Sequence, residues 1–155
     1  MNDLLLEIKK IIEEILAKMD FSGEVKVDEE GQNFVSANIQ SDEASWLIGK
    51  GAENLMALQQ ITRAILNKKF GEATPRFSLD VDSYQKNRLE TLTRMAKNLA
   101  EEVLRTGESR WLPPMSSYER RAVHLALVDF LGVKTESEGE SEERQVVIKP
   151  VIREQ

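Results

Sequence analysis

Near the N-terminus the apolar residues Leu4, Ile8, Ile11, Ile12, Ile15 and Met19 recur at helical spacing, with Glu and Lys between them, which predicts an amphipathic helix. Ser22-Gly23 breaks the pattern and the period drops to two. Glu24–Val27 and Phe34–Ile39 alternate like half-buried strands around the turn-forming Glu30-Gly31-Gln32-Asn33, so a hairpin is expected. Ser41 and Asp42 offer an N-cap for a short helix through Ile48, and Gly49–Ala52 forms a loop. A second helix follows from Glu53 to Lys69, with Leu55, Leu58, Ile61, Ile65 and Leu66 turned inward and Gly71 as its stop. Phe77, Leu79 and Val81 alternate with polar residues as a third strand.

The remainder has its own apolar stripes. Asp82 with Gln85 suggests a capping box for a long helix with Leu92, Ala96, Leu99 and Val103 buried, ended by Thr106-Gly107. An extended segment is expected over Ser109–Leu112. Pro113-Pro114 then forbids helix, and Ser116 with Glu119 forms a second capping box for the helix bearing Arg120 and His124. After Gly132 the polar run Thr135–Glu143 reads as a solvated loop, and Val146, Val147 and Ile148 make a final strand. No internal repeat is visible. The expected class is α+β, in two domains over residues 1–81 and 82–155.

With 155 residues, 41% of them hydrophobic, the chain can build packed cores. Cysteine is absent, which removes disulfides and thiolate metal sites. Apolar runs are too short for a membrane span and the N-terminus lacks the form of a secretory signal. The expectation is a soluble, cytoplasmic protein without membrane insertion. The net charge of −6 argues against an indiscriminate nucleic-acid binder. The acidic excess lies at the ends: residues 1–48 hold 11 acidic and 4 basic side chains, and residues 135–155 hold 6 and 3. Residues 49–81 hold 5 basic against 3 acidic and residues 82–134 hold 9 against 7. Salt-sensitive binding through the basic middle is compatible with that distribution.

Both candidate sites fall there. Arg120 and His124 stand one helical turn apart on one face, where a guanidinium fork and an imidazole can contact phosphate. Gly49-Lys50-Gly51-Ala52 sets two glycines around a lysine before a helix N-terminus, where backbone amides can approach an anion. Taken alone, the loop is better read as a plain helix-helix turn and His124 as a structural histidine. Arg121 either joins the anion site or pairs with Glu119 or Asp129. Trp111, beside Arg110, is a candidate for base stacking; Trp46 is at least as well explained by core packing. A Walker-type nucleotide site is excluded by the lack of Ser or Thr after Gly-Lys. The run Glu136–Glu143 reads as solvated charge rather than a metal site, and no cofactor is implied.

The segment Leu47-Ile48-Gly49-Lys50-Gly51-Ala52-Glu53, leading into Leu55 and Leu58-Gln59, resembles a bacterial-type KH domain and its Gly-x-x-Gly loop. Arg120 and His124 resemble the Arg-x-x-x-His signature of the R-three-H domain. Ala96-Lys97-Asn98-Leu99-Ala100, Thr106-Gly107, Pro114-Met115, Tyr118-Glu119-Arg120-Arg121, Thr135–Glu140 and Arg144–Pro150 extend the likeness over nearly the whole chain. The tandem resembles the Jag family (SpoIIIJ-associated, also called KhpB) of bacterial RNA-binding proteins. Ala52 stands where that family usually has Gly, a change expected to be sterically mild at a first helical position. The N-terminal Jag domain and linker of many members are missing from this sequence.

The resemblance implies a KH fold with a three-stranded sheet backed by three helices, its loop clamping the backbone of about four nucleotides. It implies a small α/β R-three-H domain whose Arg and His face single-stranded RNA or DNA. It also implies roles in cell elongation and division, with a small KH-domain protein as partner, or a homodimer. The nucleic-acid-binding set is then Gly49, Lys50, Gly51, Ala52, Arg110, Trp111, Arg120, Arg121 and His124, with no catalytic and no metal residue. A nuclease using Arg120 and His124 is the rival reading, and it lacks a second general base. A protein-interaction adaptor is the other.

Overall fold

The N-terminal periodicity is realised as helix α1 (Asp3–Lys18), which buries Ile8, Ile11, Ile12 and Leu16. Met19, expected on that stripe, lies past the last turn and is exposed, so Leu16 completes the buried row. Residues 3–151 are described by the computed structural model. They fall into two units, Met1–Lys86 and Asn87–Gln155, and the outermost residues of both expected domains, 1–2 and 152–155, lie outside the described part.

In the first unit β1 (Glu24–Glu29) pairs antiparallel with β2 (Phe34–Gln40), and β2 pairs parallel with β3 (Arg76–Val81). The register aligns Val25 with Ile39, Ala37 with Leu79 and Ile39 with Val81. These residues share one face because side chains alternate along a strand. That face is buried with residues of α1, of α2 (Ala44–Ile48) and of α3 (Glu53–Phe70). The parallel β2–β3 pair requires a crossover, which α2 and α3 supply. A three-stranded sheet and three helices thus stand where the sequence led one to expect them.

Three local expectations are corrected. Along α3 the buried row is Leu55, Leu58, Thr62 and Leu66, whereas Ile61 and Ile65 are exposed by 50% and 38%. Thr62 tolerates burial because its hydroxyl donates to the Leu58 carbonyl at 2.8 Å. Ser41 does not cap α2; the N-cap position is Glu43, and the Ser41 hydroxyl accepts from the Glu43 N–H at 3.1 Å while donating to the Ser22 carbonyl at 2.6 Å. Asp82 does not cap α4 (Tyr84–Thr106) either. That task falls to Asp80, whose carboxylate accepts from the N–H groups of Gln85 and Lys86 at 3.0 and 3.2 Å. This tie helps explain why the division between units comes after Lys86 and not after Val81.

In the second unit α4 buries Leu92, Ala96, Ala100 and Val103, with Leu99 half-buried. The sheet has the order β4 (Arg110–Trp111), β6 (Gln145–Pro150), β5 (Val133–Glu138), all antiparallel. Val146 and Ile148 join the core with α4 and with Val123 and Leu127 of α5 (Ser117–Leu127). The first part of the polar run taken for a loop, Thr135–Glu138, is therefore strand β5. It pairs because its charges are answered across the ladder: the Lys149 ammonium lies 2.6 Å from Glu136 and 3.0 Å from Glu138.

Candidate nucleic-acid interface

Between α2 and α3 the chain turns on residues that side chains disfavour. Gly49 has φ 72° and ψ 177°, a region open essentially to glycine, and Gly51 and Ala52 both adopt left-handed conformations with φ 59° and 63°. A Cβ on Gly49 would come within 2.7 Å of the Asn54 side chain, and Asn54 itself donates to the Trp46 carbonyl at 2.8 Å. Asn54, absent from the sequence-derived set, therefore fixes the loop from inside α3. The loop's internal hydrogen bonds use the N–H groups of Gly49, Ala52 and Glu53. Those of Lys50 and Gly51 lie outside that pairing, and the Lys50 side chain is exposed with no ion pair among the described residues.

Ala52 departs from expectation. It precedes α3 in a left-handed conformation rather than occupying an ordinary first helical position, which costs about 1–2 kcal/mol for a residue bearing a Cβ. Glycine removes that strain and adds roughly 0.5–1 kcal/mol of unfolded-state entropy cost. Ala52→Gly is expected to stabilise the fold by about 0.5–1 kcal/mol, read as a higher urea midpoint at constant slope. A lower midpoint would mean that neighbouring contacts hold Ala52 in place.

Along the seam running from this loop, α3 closes the free edge of β3. The Gln59 side-chain oxygen accepts from the Leu79 N–H at 2.9 Å, and the Arg63 guanidinium donates to the Phe77 carbonyl at 3.0 Å. Gln59 enters the sequence reading only within the KH-like segment and Arg63 not at all, and neither belongs to the expected binding set. Their spacing of four, beside the apolar stripe, is the signal that could have found them.

Helix α5 begins with the expected capping box: Glu119 N–H donates to the Ser116 hydroxyl at 3.3 Å and Ser116 N–H to the Glu119 carboxylate at 2.8 Å. Arg120 and His124 share a face but are half-buried and already engaged. Arg120 donates to the Met115 carbonyl at 2.8 Å, pinning the segment before the helix. His124 places Nδ1 2.6 Å from the Thr135 hydroxyl and Nε2 3.0 Å from that of Ser137, both on β5. Burial, and secondarily the Arg120 charge, push the imidazole pKa below its ordinary value. The pair is preorganised rather than freely solvated: the unforeseen strand β5 supplies the partners of His124, and Met115 that of Arg120. Arg121 is exposed and forms no salt bridge among the described residues. Glu119, one of its expected partners, is instead taken up by Arg88 and the Ser116 N–H.

Two residues of the expected set stand apart from this helix face. Arg110 donates to Glu102 at 2.9 Å and to Glu108 at 3.0 Å, so its charge is answered within the unit. Trp111 is opposite Val147, which is opposite Glu136, and these share one sheet face; Arg110, Ile148 and Thr135 share the other. His124 meets the Thr135 face, hence Trp111 looks away from it. Trp46 is 72% exposed rather than packed in the core, and forms one wall of an open apolar groove with Met19, Phe21 and Ile61. Glu136 and Glu138 are held by lysines, and no cluster of His, Asp and Glu suited to a metal occurs among the described residues.

Residues 90–150, which contain α5 and the second sheet, match the R-three-H domain family. The chain is similar to the RNA-binding protein KhpB of Bacillus subtilis (strain 168), with 35% identity over 145 residues, 92% of this chain and 67% of that protein. It is also similar to the proteins of the same name from Clostridium symbiosum, 35% identical over 90% of this chain and 63% of the relative, and Lactiplantibacillus plantarum, 36% identical over 76% and 36%. The chain thus spans about one third to two thirds of the length of these relatives. As the likeness takes in both units and not the R-three-H segment alone, the chain belongs to the KhpB family.

Proposed function

We propose that this chain holds single-stranded RNA without acting on it chemically, its first unit serving as a KH domain and its second as the R-three-H domain. The observation that carries the reading is the Gly49–Ala52 loop, where a lysine outside any ion pair among the described residues and the Lys50 and Gly51 amides occupy a turn that few sequences would adopt without need. A phosphate there would meet backbone donors and a cation together. Gln59 and Arg63, along the seam from the loop, give a bound strand polar groups beside its bases. In the second unit Arg121 supplies an exposed cation, while Arg120, held by Met115, gives a fixed donor beside the imidazole of His124. The name of the relatives, RNA-binding protein KhpB, supports RNA over DNA. A post-transcriptional role linked to cell elongation or division, in the cytoplasm and with a small KH-domain partner or a second copy, extends the same reading. The nuclease alternative gains nothing, since both nitrogens of His124 are occupied by hydroxyls.

Fluorescence anisotropy with labelled single-stranded RNA at several salt concentrations tests this reading. Arg121→Ala is expected to weaken binding several-fold and to lower the salt slope by about 1, with unchanged folding stability. Arg120→Ala is expected to weaken binding similarly and also to cost about 1 kcal/mol of stability, through loss of its bond to Met115. Unaltered affinity and salt slope in both variants would remove α5 from the interface. Intact RNA after incubation with Mg2+ is the expected result, and cleavage would overturn the non-enzymatic reading.

A further inference from the structure

On the outer face of the second sheet, Trp111 sits on a ladder rather than a loop. Val147, directly opposite it, has 0% exposure. Yet Val147 does not belong to the core cluster that contains its neighbours Val146 and Ile148. On that outer face Trp111 is its direct cross-strand neighbour and the largest side chain of the pair, placed to help cover it. The indole is held further by its N–H, which donates to Glu138 at 3.1 Å, and Glu138 is tied in turn to Lys149 at 3.0 Å. Lys149 also reaches Glu136, which pairs with Lys134 at 3.2 Å. Trp111 nevertheless remains 52% exposed. The combination is an aromatic plate seated on a buried valine, fixed at one edge, with a large area left to solvent.

We propose that this plate stacks one unpaired base of a bound RNA, on the sheet face opposite the one that meets His124; the inference rests on the RNA-holding reading above. Charge selects the base rather than the backbone as occupant. Glu136 and Glu138 line the plate and are balanced by Lys149 and Lys134, so this face offers a phosphate no cation outside an ion pair. Each carboxylate has lone pairs beyond those its present partners use and accepts further N–H groups. Adenine, cytosine and guanine present exocyclic amines to such a rim. Uracil presents two carbonyls and a single imide N–H, and is disfavoured. Stacking itself is tolerant of sequence, since every base offers a π face. RNA reaching both this plate and α5 must pass around the edge of the sheet, with its backbone outermost. Lys134, exposed on the edge strand β5, stands on that route.

The experiment uses the Trp46→Phe protein, in which Trp111 is the sole tryptophan. Ten-nucleotide oligo(A) and oligo(U) are titrated while indole emission and the anisotropy of a 3′-labelled oligonucleotide are read in parallel. Oligo(A) is expected to quench Trp111 emission with the same midpoint as the anisotropy change, and oligo(U) to quench it markedly less. Trp111→Leu is expected to weaken oligo(A) binding about tenfold, whereas Trp111→Phe retains most of it. Glu138→Gln, which keeps an acceptor for the indole, is expected to narrow the preference for A over U. Anisotropy binding with unchanged Trp111 emission overturns the proposal while leaving RNA binding standing. So does an emission shift that follows protein concentration and not RNA, which would make the plate a contact between copies. Should neither oligonucleotide alter the anisotropy, the RNA-holding reading fails and this one with it.

Discussion

Replacing Lys50 and Gly51 together by Asp is expected to lower RNA affinity about 100-fold while leaving the first unit folded. Lys50 is exposed and unpaired among the described residues, and a Cβ on Gly51 meets nothing within 4 Å, so neither substitution displaces a packed group. Asp also tolerates the left-handed conformation of Gly51 better than most residues, at about 1 kcal/mol or somewhat less. The change reverses the local field, because a site with one cation becomes one with two anions beside the expected phosphate path. A charge-assisted contact contributes about 1.5–3 kcal/mol, and repulsion raises the total loss to about 3 kcal/mol, which is the stated factor of about 100. Anisotropy gives the affinity and thermal unfolding gives the control. A loss below about threefold in a protein with unchanged melting would remove the loop from the interface. Gly49→Ala makes an informative contrast: its Cβ collides with Asn54, so it should reduce binding and stability together.

Helices and strands were legible where burial has a single period. The rows Ile8, Ile12 in α1 and Leu92, Ala96, Val103 in α4 emerge as read, as do the alternating residues of β2 and β3. The capping box of α5 was legible because its donors and acceptors lie three residues apart in sequence. What escaped was decided by distant partners. β5 carries polar residues on both faces and shows no hydrophobic alternation; its strand character depends on Lys149 and His124, each more than ten residues away. Asp80 displaced Asp82 as the cap because Asp82 and Ser83 take up positive φ and point the chain differently. Thr62 displaced Ile61 and Ile65 because a row set by Leu58 and Leu66 passes through position 62, and the hydroxyl finds its acceptor in the helix itself. The loop and the helix of chemical interest were located by motif. Their strain at Ala52 and the prior commitment of Arg120 are properties of the folded backbone, which spacing does not encode.

His124 should give folding and binding opposite dependences on pH. Its folded-state pKa lies below the 6.5 of a free imidazole, chiefly through burial and then through Arg120. Above about pH 7 the ring is neutral in both folded and unfolded chains and has no effect on the pH dependence. As pH falls through about 6.5 the unfolded chain takes up the proton first, so His124 makes the fold less stable until the folded pKa is passed. A phosphate beside the ring favours the charged form, so RNA binding takes up a proton in that same window and tightens as pH falls. For one proton the slope is at most tenfold in affinity per pH unit; a gain of several-fold between about pH 7.5 and 5.5 is expected. His124→Gln keeps groups able to bond Thr135 and Ser137 but has no charge to gain, and should flatten both slopes while changing affinity little near pH 8. Urea midpoints and RNA anisotropy across that range separate the roles. If the variant loses the stability slope and retains the binding slope, His124 fastens α5 to β5 and the proton sensitivity of binding resides elsewhere.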